Sequence, residues 1–425
     1  MNVQFILHYP ILYKTKETAM AQNEMELLTL WDVRVLGIAV FIAVVCSFGI
    51  DMHLPSLPSM VTAFHSTTGM LQSSITIYLL GMLIAQLVYG PLSDKLGRRN
   101  VFLLGLGVAI IGSIICNVAA TIDVFLAGRL VQGLGAAVGM SLGRSVVVDI
   151  MSGPKMVRYG SYISVFITIG TMIAPMIGGY LQHWFGWQAN FIVLTLLFVA
   201  CFIITFTALP ETLTTQNPLA FHPKHLLNNY WTMLKNPTFL GFTLCSGLGM
   251  ATVMVYTAVS PFLFQIQYHL SPIFYGWLGT IIGVAGIVGR LLNGAVANRL
   301  GMHKGIVTGM SIFLIMGAVL LMGQLLGALT VVSVLVLICL STLGQGFIFA
   351  NAMTGAMSPF RHLGGTVGAL YGSMQYWISF FVVSLISLSH AHGVMVLGVS
   401  YVVLAAVGLV GFTCSRKLAL KDQEC

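Results

Sequence analysis

Apolar runs long enough to cross a bilayer recur from residue 35 to residue 414, broken only by short polar segments. A helix rises about 1.5 Å per residue, so about 20 apolar residues bridge a hydrocarbon layer of about 30 Å. The pattern predicts helices over 35–57, 70–90, 101–120, 124–148, 161–181 and 189–209. A polar stretch with Pro210, Pro223 and Pro237 follows, and then helices over 239–263, 273–294, 305–325, 330–356, 365–388 and 393–414. The expected division is a leader 1–34, a six-helix half 35–209, a linker 210–237, a second half 238–414 and a tail 415–425. Phe5 to Tyr13 is apolar but too short to span, and it lacks a small-residue cleavage site. Met20 is an alternative start, which would leave a short cytoplasmic leader.

The basic residues give this helix count an orientation. With the leader in the cytoplasm, sixteen of the 19 Lys and Arg fall in cytoplasmic segments, among them Arg34, Lys95, Arg98, Arg99, Lys155 and Arg416. The remaining three, Arg129, Arg144 and Arg290, lie within helices or at their ends, and the outer loops hold none. That bias is the positive-inside pattern. It predicts a multi-pass protein with both termini cytoplasmic.

Composition agrees. The chain is 57% hydrophobic and 7% charged over 425 residues, against about 25% charged in ordinary soluble domains. So few charges cannot cover a chain this long in water, whereas lipid demands apolar side chains outside and satisfied backbone inside. The net charge of +8 then reports topology, and nucleic-acid binding is excluded for want of a basic soluble face. The 46 glycines suit close helix contact in a medium that does not itself drive helices together. The seven cysteines show no metal-ligand spacing and read as small buried hydrophobes.

The chain also repeats itself. Gly90-Pro-Leu-Ser-Asp94-Lys-Leu-Gly97 follows the second helix, and Gly294-Ala-Val-Ala-Asn298-Arg-Leu-Gly301 follows the eighth with the same spacing. Pro55 near the end of helix one is echoed by Pro261 near the end of helix seven. Two six-helix halves around a shared path account for the repeat.

Several residues carry chemistry. Gly90 to Arg99 reads as a tight cytoplasmic loop in which Asp94, Arg98 and Arg99 offer a separable ion-pair latch. A solvated positive loop is the plain alternative. Asp51, after sixteen uncharged residues, is the one acid clearly inside a span, and an intramembrane carboxylate marks a functional site by default. Pro55 lacks an N–H, so the Asp51 carbonyl loses its helical partner. A carboxyl balanced between desolvation and a nearby arginine can take up and release protons. Arg129 sits at similar depth in helix four, where Asp51, polar groups of helix one or Gln132 could receive its hydrogen bonds. Gly135, Gly139 and Gly143 form a small-residue stripe, and Gly170, Pro175, Gly178 and Gly179 allow helix five to bend and pack closely. His53, His390 and His392 fall near the outer face and read as interfacial. The second half has no acid between Glu211 and Asp422, and Thr257 stands where the first half has Asp51. Proton chemistry is therefore expected in the first half. Polar groups for a substrate cavity are expected at Tyr78, Gln132, Tyr256, Tyr371, Gln375 and Tyr376.

These residues together resemble the major facilitator superfamily over Trp31 to Leu420, and within it the twelve-helix drug:proton antiporters of the bicyclomycin and chloramphenicol resistance branch. Asp51-Met-His-Leu-Pro-Ser-Leu-Pro58 resembles that branch's helix-one motif. Gly90 to Arg99 matches the superfamily's loop motif, Phe125 to Ala137 the helix-four motif, and Ala174-Pro175-Met-Ile-Gly178-Gly179 the helix-five antiporter motif. The resemblance implies an all-α membrane fold in two pseudo-symmetric halves. It implies proton coupling at Arg129 and Asp51, and a cytoplasmic gate of Gly90, Asp94, Gly97, Arg98 and Arg99, with Asp149 pairing to Arg98. There are departures: Ala174 stands for the usual glycine, Gln188 follows Trp187 where an arginine is common, and Asn298 replaces the second-half acid.

The expected function is proton-driven, cofactor-free export of lipophilic or amphipathic small molecules by a monomer in a bacterial inner membrane. Export of one endogenous metabolite, such as an amino acid or a siderophore, is the alternative. An enzyme would need convergent nucleophile, base or metal residues, and the chain shows no such constellation. A receptor is disfavoured by the duplication and by the lack of a signalling domain.

Overall fold

The computed structural model describes residues 29–151, 153–213, 223–389 and 393–424. The expected leader through residue 28, the middle of the linker, His390 and His392 lie outside them. Among the described residues, twelve helices are long and apolar enough to cross a membrane. In the first half these are α1 Leu30–Asp51, α2 Thr68–Leu96, α3 Arg98–Val118, α4 Ile122–Ile150, α5 Gly153–Phe185 and α6 Gln188–Ala208. A linker helix, Pro223–Leu234, precedes α7 Pro237–Phe262. Then come α8 Pro272–Ala297, α9 Arg299–Leu325, α10 Val331–Met357, α11 Gly364–Ser389 and α12 Val394–Glu424. An even number of spans puts the first and last described residues at one end of the bundle, the termini end; the other is the far end.

Helix starts obey local chemistry. Thr67, Thr121, Ser271 and Thr330 each accept a backbone N–H from the first turn of α2, α4, α8 and α10, so four helices that begin at the far end share one capping device. Thr29 and Asp32 form a capping box on α1, and Asn236 caps α7.

The first helix of each half breaks near its far end. α1 stops at Asp51, passes through a 3-10 turn at Leu54–Ser56 and resumes as Leu57–Ala63. The break comes earlier than the sequence pattern suggests, at the carbonyl freed by Pro55. After Pro261, α7 loosens into a π-turn at Leu263–Gln267.

The segment from Gly90 is not a loop. α2 stays helical through Pro91 to Leu96, and only Gly97 separates it from α3. Gly97 has φ +89° and its repeat partner Gly301, a non-helical kink just inside the start of α9, has φ +69°. Both corners use backbone that side chains rarely adopt, so the repeat seen in the sequence is a repeat of one backbone turn.

Close packing places the first half's helices around α4. Gly135 lies against the backbone of Ala109 in α3, Gly133 against Tyr78 in α2, and Gly139 against Cys46 in α1. The stripe is therefore shared between neighbours, a different small residue seating each one.

Candidate functional site

Arg129 is fully buried in the first half. Its Nη1 donates to the Gly49 carbonyl at 2.9 Å and to Gln132 Oε1, its Nε to the Ser74 carbonyl at 3.4 Å, and its guanidinium lies 4.3 Å from the centre of the Tyr78 ring. Gln132 Nε2 donates in turn to Ser113 Oγ at 2.7 Å, and Tyr78 Oη to the Cys46 carbonyl at 3.1 Å. The α1 break sets this up, because Gly49 sits where α1 is about to end. A buried arginine keeps its charge and needs acceptors. Here carbonyls, one amide and one π-face supply them. Arg129 Nη2 is shielded from solvent and has no acceptor.

Asp51 does not pair with Arg129. Among the described residues its half-buried carboxylate makes no hydrogen bond or ion pair, while lying within electrostatic range of Tyr78 and of Tyr275 across the seam in α8. The arginine takes the carbonyl two residues earlier instead. Two residues beyond Asp51, His53 is fully buried against Phe191, and neither ring nitrogen has a partner. The sequence suggested an interfacial histidine; the α1 break turns it inward.

Tyr78 and Gln132, expected on a cavity wall, are fully buried and engaged by the arginine. In the second half, Tyr371 Oη meets Ser246 Oγ at 2.6 Å and Gln375 Nε2 donates to the same oxygen at 2.5 Å. Ser246, a small residue with no motif around it, gave no signal in the sequence. Tyr256 is half-buried and Tyr376 buried, the latter within electrostatic range of Tyr78 across the interface.

The halves meet along α5–α8 and α2–α11. Gln72 Nε2 donates to the Ala258 carbonyl at 3.2 Å, and Gln265 Nε2 to the Pro55 carbonyl at 3.1 Å. Trp277 Nε1 reaches Tyr180 Oη at 3.3 Å, and Thr280 Oγ1 the Met172 carbonyl at 3.1 Å. Gly276 and Gly279 press on Pro175, and Gly179 on the Pro272 carbonyl. Gly178 packs on the Met52 carbonyl in the α1 break, and Gly170 on Val44. The contacts that cross between the halves close the far end. Toward the termini end the one hydrogen bond between halves among the described residues is Arg290 Nη1 to Thr168 Oγ1, at 2.7 Å.

At the termini end Arg98 pairs with Asp94 at 2.5 Å and with Asp149 at 3.0 Å, and also donates to Ser93 Oγ. All of these groups belong to the first half, and the cluster coexists with a closed far end. Gly90 has open space around its Cα and plays no part in a close approach. Arg99 does not join the cluster: its Nη2 donates to the Phe206 carbonyl and its guanidinium lies 5.7 Å from the Phe206 ring. Sequence reasoning missed Glu211. Its carboxylate accepts the backbone N–H groups of Arg98 at 2.8 Å and Arg99 at 3.2 Å, over Gly97, where no side chain would fit. The α3 N-terminus thus receives a full negative charge from the end of α6, and Thr212 beside it donates to Asp149 at 3.1 Å. The signal available in the sequence was an acid directly after α6, facing a motif rich in arginine. Glu211→Gln should weaken the α3 cap by about 0.5–1 kcal/mol and lower the thermal unfolding midpoint in detergent. An unchanged midpoint would show that the charge does not stabilise α3.

Residues 39–384 match the family model of the Major Facilitator Superfamily. The chain is 30% identical over 384 residues to the chloramphenicol resistance protein of Pseudomonas aeruginosa, covering 88% of each. It is 28% identical over 349 residues to multidrug resistance protein D of Escherichia coli (strain K12), covering 81% of this chain and 86% of that protein. In fold it is similar to the partially occluded, inward-open xylose transporter XylE from E. coli, with a TM-score of 0.71 at 12% identity over 92% of this chain and 98% of the other. With twelve spans in two repeated halves, this chain belongs to the major facilitator superfamily and is a membrane transporter rather than an enzyme.

Proposed function

We propose that the protein exports amphipathic drugs in exchange for protons, by alternating access in the bacterial inner membrane, as a monomer with both termini in the cytoplasm. Relatives named for multidrug and chloramphenicol resistance support the substrate class, and the distribution of Lys and Arg supports the orientation. The observation that carries the reading is the Asp51 carboxylate at the α1 break, unpaired among the described residues, in the same half as a buried arginine whose Nη2 has no acceptor. A carboxyl without a charge partner enters a closed seam most readily as the neutral acid. Proton binding at Asp51 then favours closure of the far end, which is the outer end in this orientation. Proton release frees the carboxylate to engage Arg129 Nη2 or a cationic substrate, and the two halves rock around the site. The proton gradient supplies the energy and no cofactor takes part. In this scheme the first half handles the proton, while the uncharged Tyr256, Tyr371, Gln375 and Tyr376 of the second half shape the substrate pocket.

The test is Asp51→Asn in proteoliposomes, with ethidium and chloramphenicol as probes. Uphill transport driven by a pH gradient should vanish, while downhill equilibration of the same probes persists. Uphill transport at the wild-type rate would reject Asp51 as the coupling group.

A further inference from the structure

The termini end carries a second feature that the transport cycle leaves unused. The starts of α1 and α3 and the end of α6 leave between them a crevice of about 320 Å³, lined by Trp31, Arg34, Arg99, Ala208 and Pro210 among others. Two arginines line it. Arg34 is exposed and has no ion-pair partner among the described residues. Arg99 spends Nη2 on the Phe206 carbonyl, and its Nε is shielded from water with no acceptor. Among the described residues the nearby acids are occupied elsewhere. Asp32 accepts from the Thr29 backbone at 2.9 Å and from its hydroxyl at 2.7 Å; Glu211 caps α3; Asp94 and Asp149 hold Arg98. The crevice is therefore a cationic cleft, in which the exposed Arg34 offers its N–H donors to an oxyanion and Arg99 adds a second positive charge.

Its surroundings say which oxyanion. α1 and α3 begin here and α6 ends here, so the crevice lies at the boundary between the apolar spans and water. Val35 and Leu209 line it, Phe206 stands exposed against Arg99, and Trp31 is half exposed, as an interfacial tryptophan would be. A soluble phosphate compound would use the arginines and leave this apolar rim bare. A phospholipid would use both, with its phosphate on the guanidinium groups and its acyl chains along Val35 and Phe206.

We propose that the crevice formed by Trp31, Arg34 and Arg99 is a binding site for the phosphate of an anionic phospholipid in the leaflet at the termini end. Arg34 and Arg99 hold the phosphodiester oxygens. Because Arg99 directly follows Arg98, a lipid seated there also steadies the Arg98–Asp94–Asp149 cluster from the side opposite α4.

Native mass spectrometry of the delipidated full chain tests this, with phosphatidylglycerol, phosphatidylethanolamine and sn-glycerol 3-phosphate as separate probes. Phosphatidylglycerol should bind at least tenfold more tightly than phosphatidylethanolamine. The Arg34→Gln/Arg99→Gln variant should lose about tenfold of that affinity, and Arg34→Lys/Arg99→Lys should keep most of it. Arg34→Gln alone, a change at an exposed side chain, should lose about threefold and covers the case in which the double variant folds poorly. Equal phosphatidylglycerol affinity in wild type and Arg34→Gln would overturn the site. Displacement of the lipid by equimolar glycerol 3-phosphate would overturn the lipid as its occupant.

Discussion

Arg129→Lys is expected to leave the protein folded in the membrane and to reduce gradient-driven efflux on the order of 100-fold, about 2.7 kcal/mol of lost coupling. A lysine keeps the positive charge. It cannot serve Gly49, Ser74 and Gln132 at once from a planar fork while lying flat on the Tyr78 ring. Nor does it keep a second N–H pair without an acceptor, which is what the buried Nη2 provides. Arg129→Ala should do more harm. It leaves the Gln132 amide oxygen and the Gly49 carbonyl buried without the arginine's donors, at about 1–3 kcal/mol each, and folded yield should fall with transport. Size-exclusion profiles separate the two effects, with the Lys variant monodisperse and the Ala variant depleted. Wild-type efflux by Arg129→Lys would mean that charge alone suffices and that the fork geometry is incidental.

The folded architecture was largely legible in the sequence, because a bilayer leaves so few options. Spans of about 20 apolar residues, the skewed distribution of Lys and Arg and the paired Gly90–Gly97 and Gly294–Gly301 segments all follow from lipid as solvent and from duplication. The backbone around the site was less legible. Nothing in Gly90-Pro-Leu-Ser-Asp94 says whether the chain coils or stays helical, since Pro91 is tolerated where the carbonyls it frees find other partners. The chain stays helical, and the reversal is confined to Gly97.

Site residues divide along the same line. Arg129, Asp51, Arg98 and Asp149 announce themselves because a charge inside or beside a span is costly. His53, Ser246 and Glu211 do not. A histidine near an interface, a serine in an apolar helix and an acid in a linker are each ordinary until the tertiary fold brings them to Arg129, Tyr371 and the α3 N-terminus. The pairing of Asp51 was the hardest to read. Similar depth in two helices does not fix which face each side chain takes, and the α1 break presents the Gly49 carbonyl, not the carboxylate, to Arg129.

Gly276→Val should release the closed far end. The α5–α8 seam depends on Gly276 and Gly279 lying flush on Pro175. A Cβ on Gly276 would sit 2.6 Å from the Pro175 carbonyl oxygen and 2.9 Å from Met176 Cα, both backbone atoms that a rotamer change cannot move. On Gly279 it would sit 3.0 Å from Pro175 Cγ, a ring that can give slightly. Overpacking of the first kind costs typically 1–3 kcal/mol. The strain exists only while the far end is closed, so it acts as a bias between states and not on folding. A penalty of 1.4 kcal/mol is a tenfold shift in their ratio. A reporter cysteine at Thr257, buried in α7 on the far side of the seam, in a background lacking the native cysteines, reads that ratio. Labelling by an impermeant maleimide added at the far end should speed up tenfold or more in Gly276→Val. In Gly279→Ala the gain should be about twofold to threefold, since the clash there is softer. An unchanged labelling rate in both variants would mean that the α5–α8 seam does not open during the cycle, and that the far-end gate lies at the α1–α7 contacts of Pro55 and Gln265 instead.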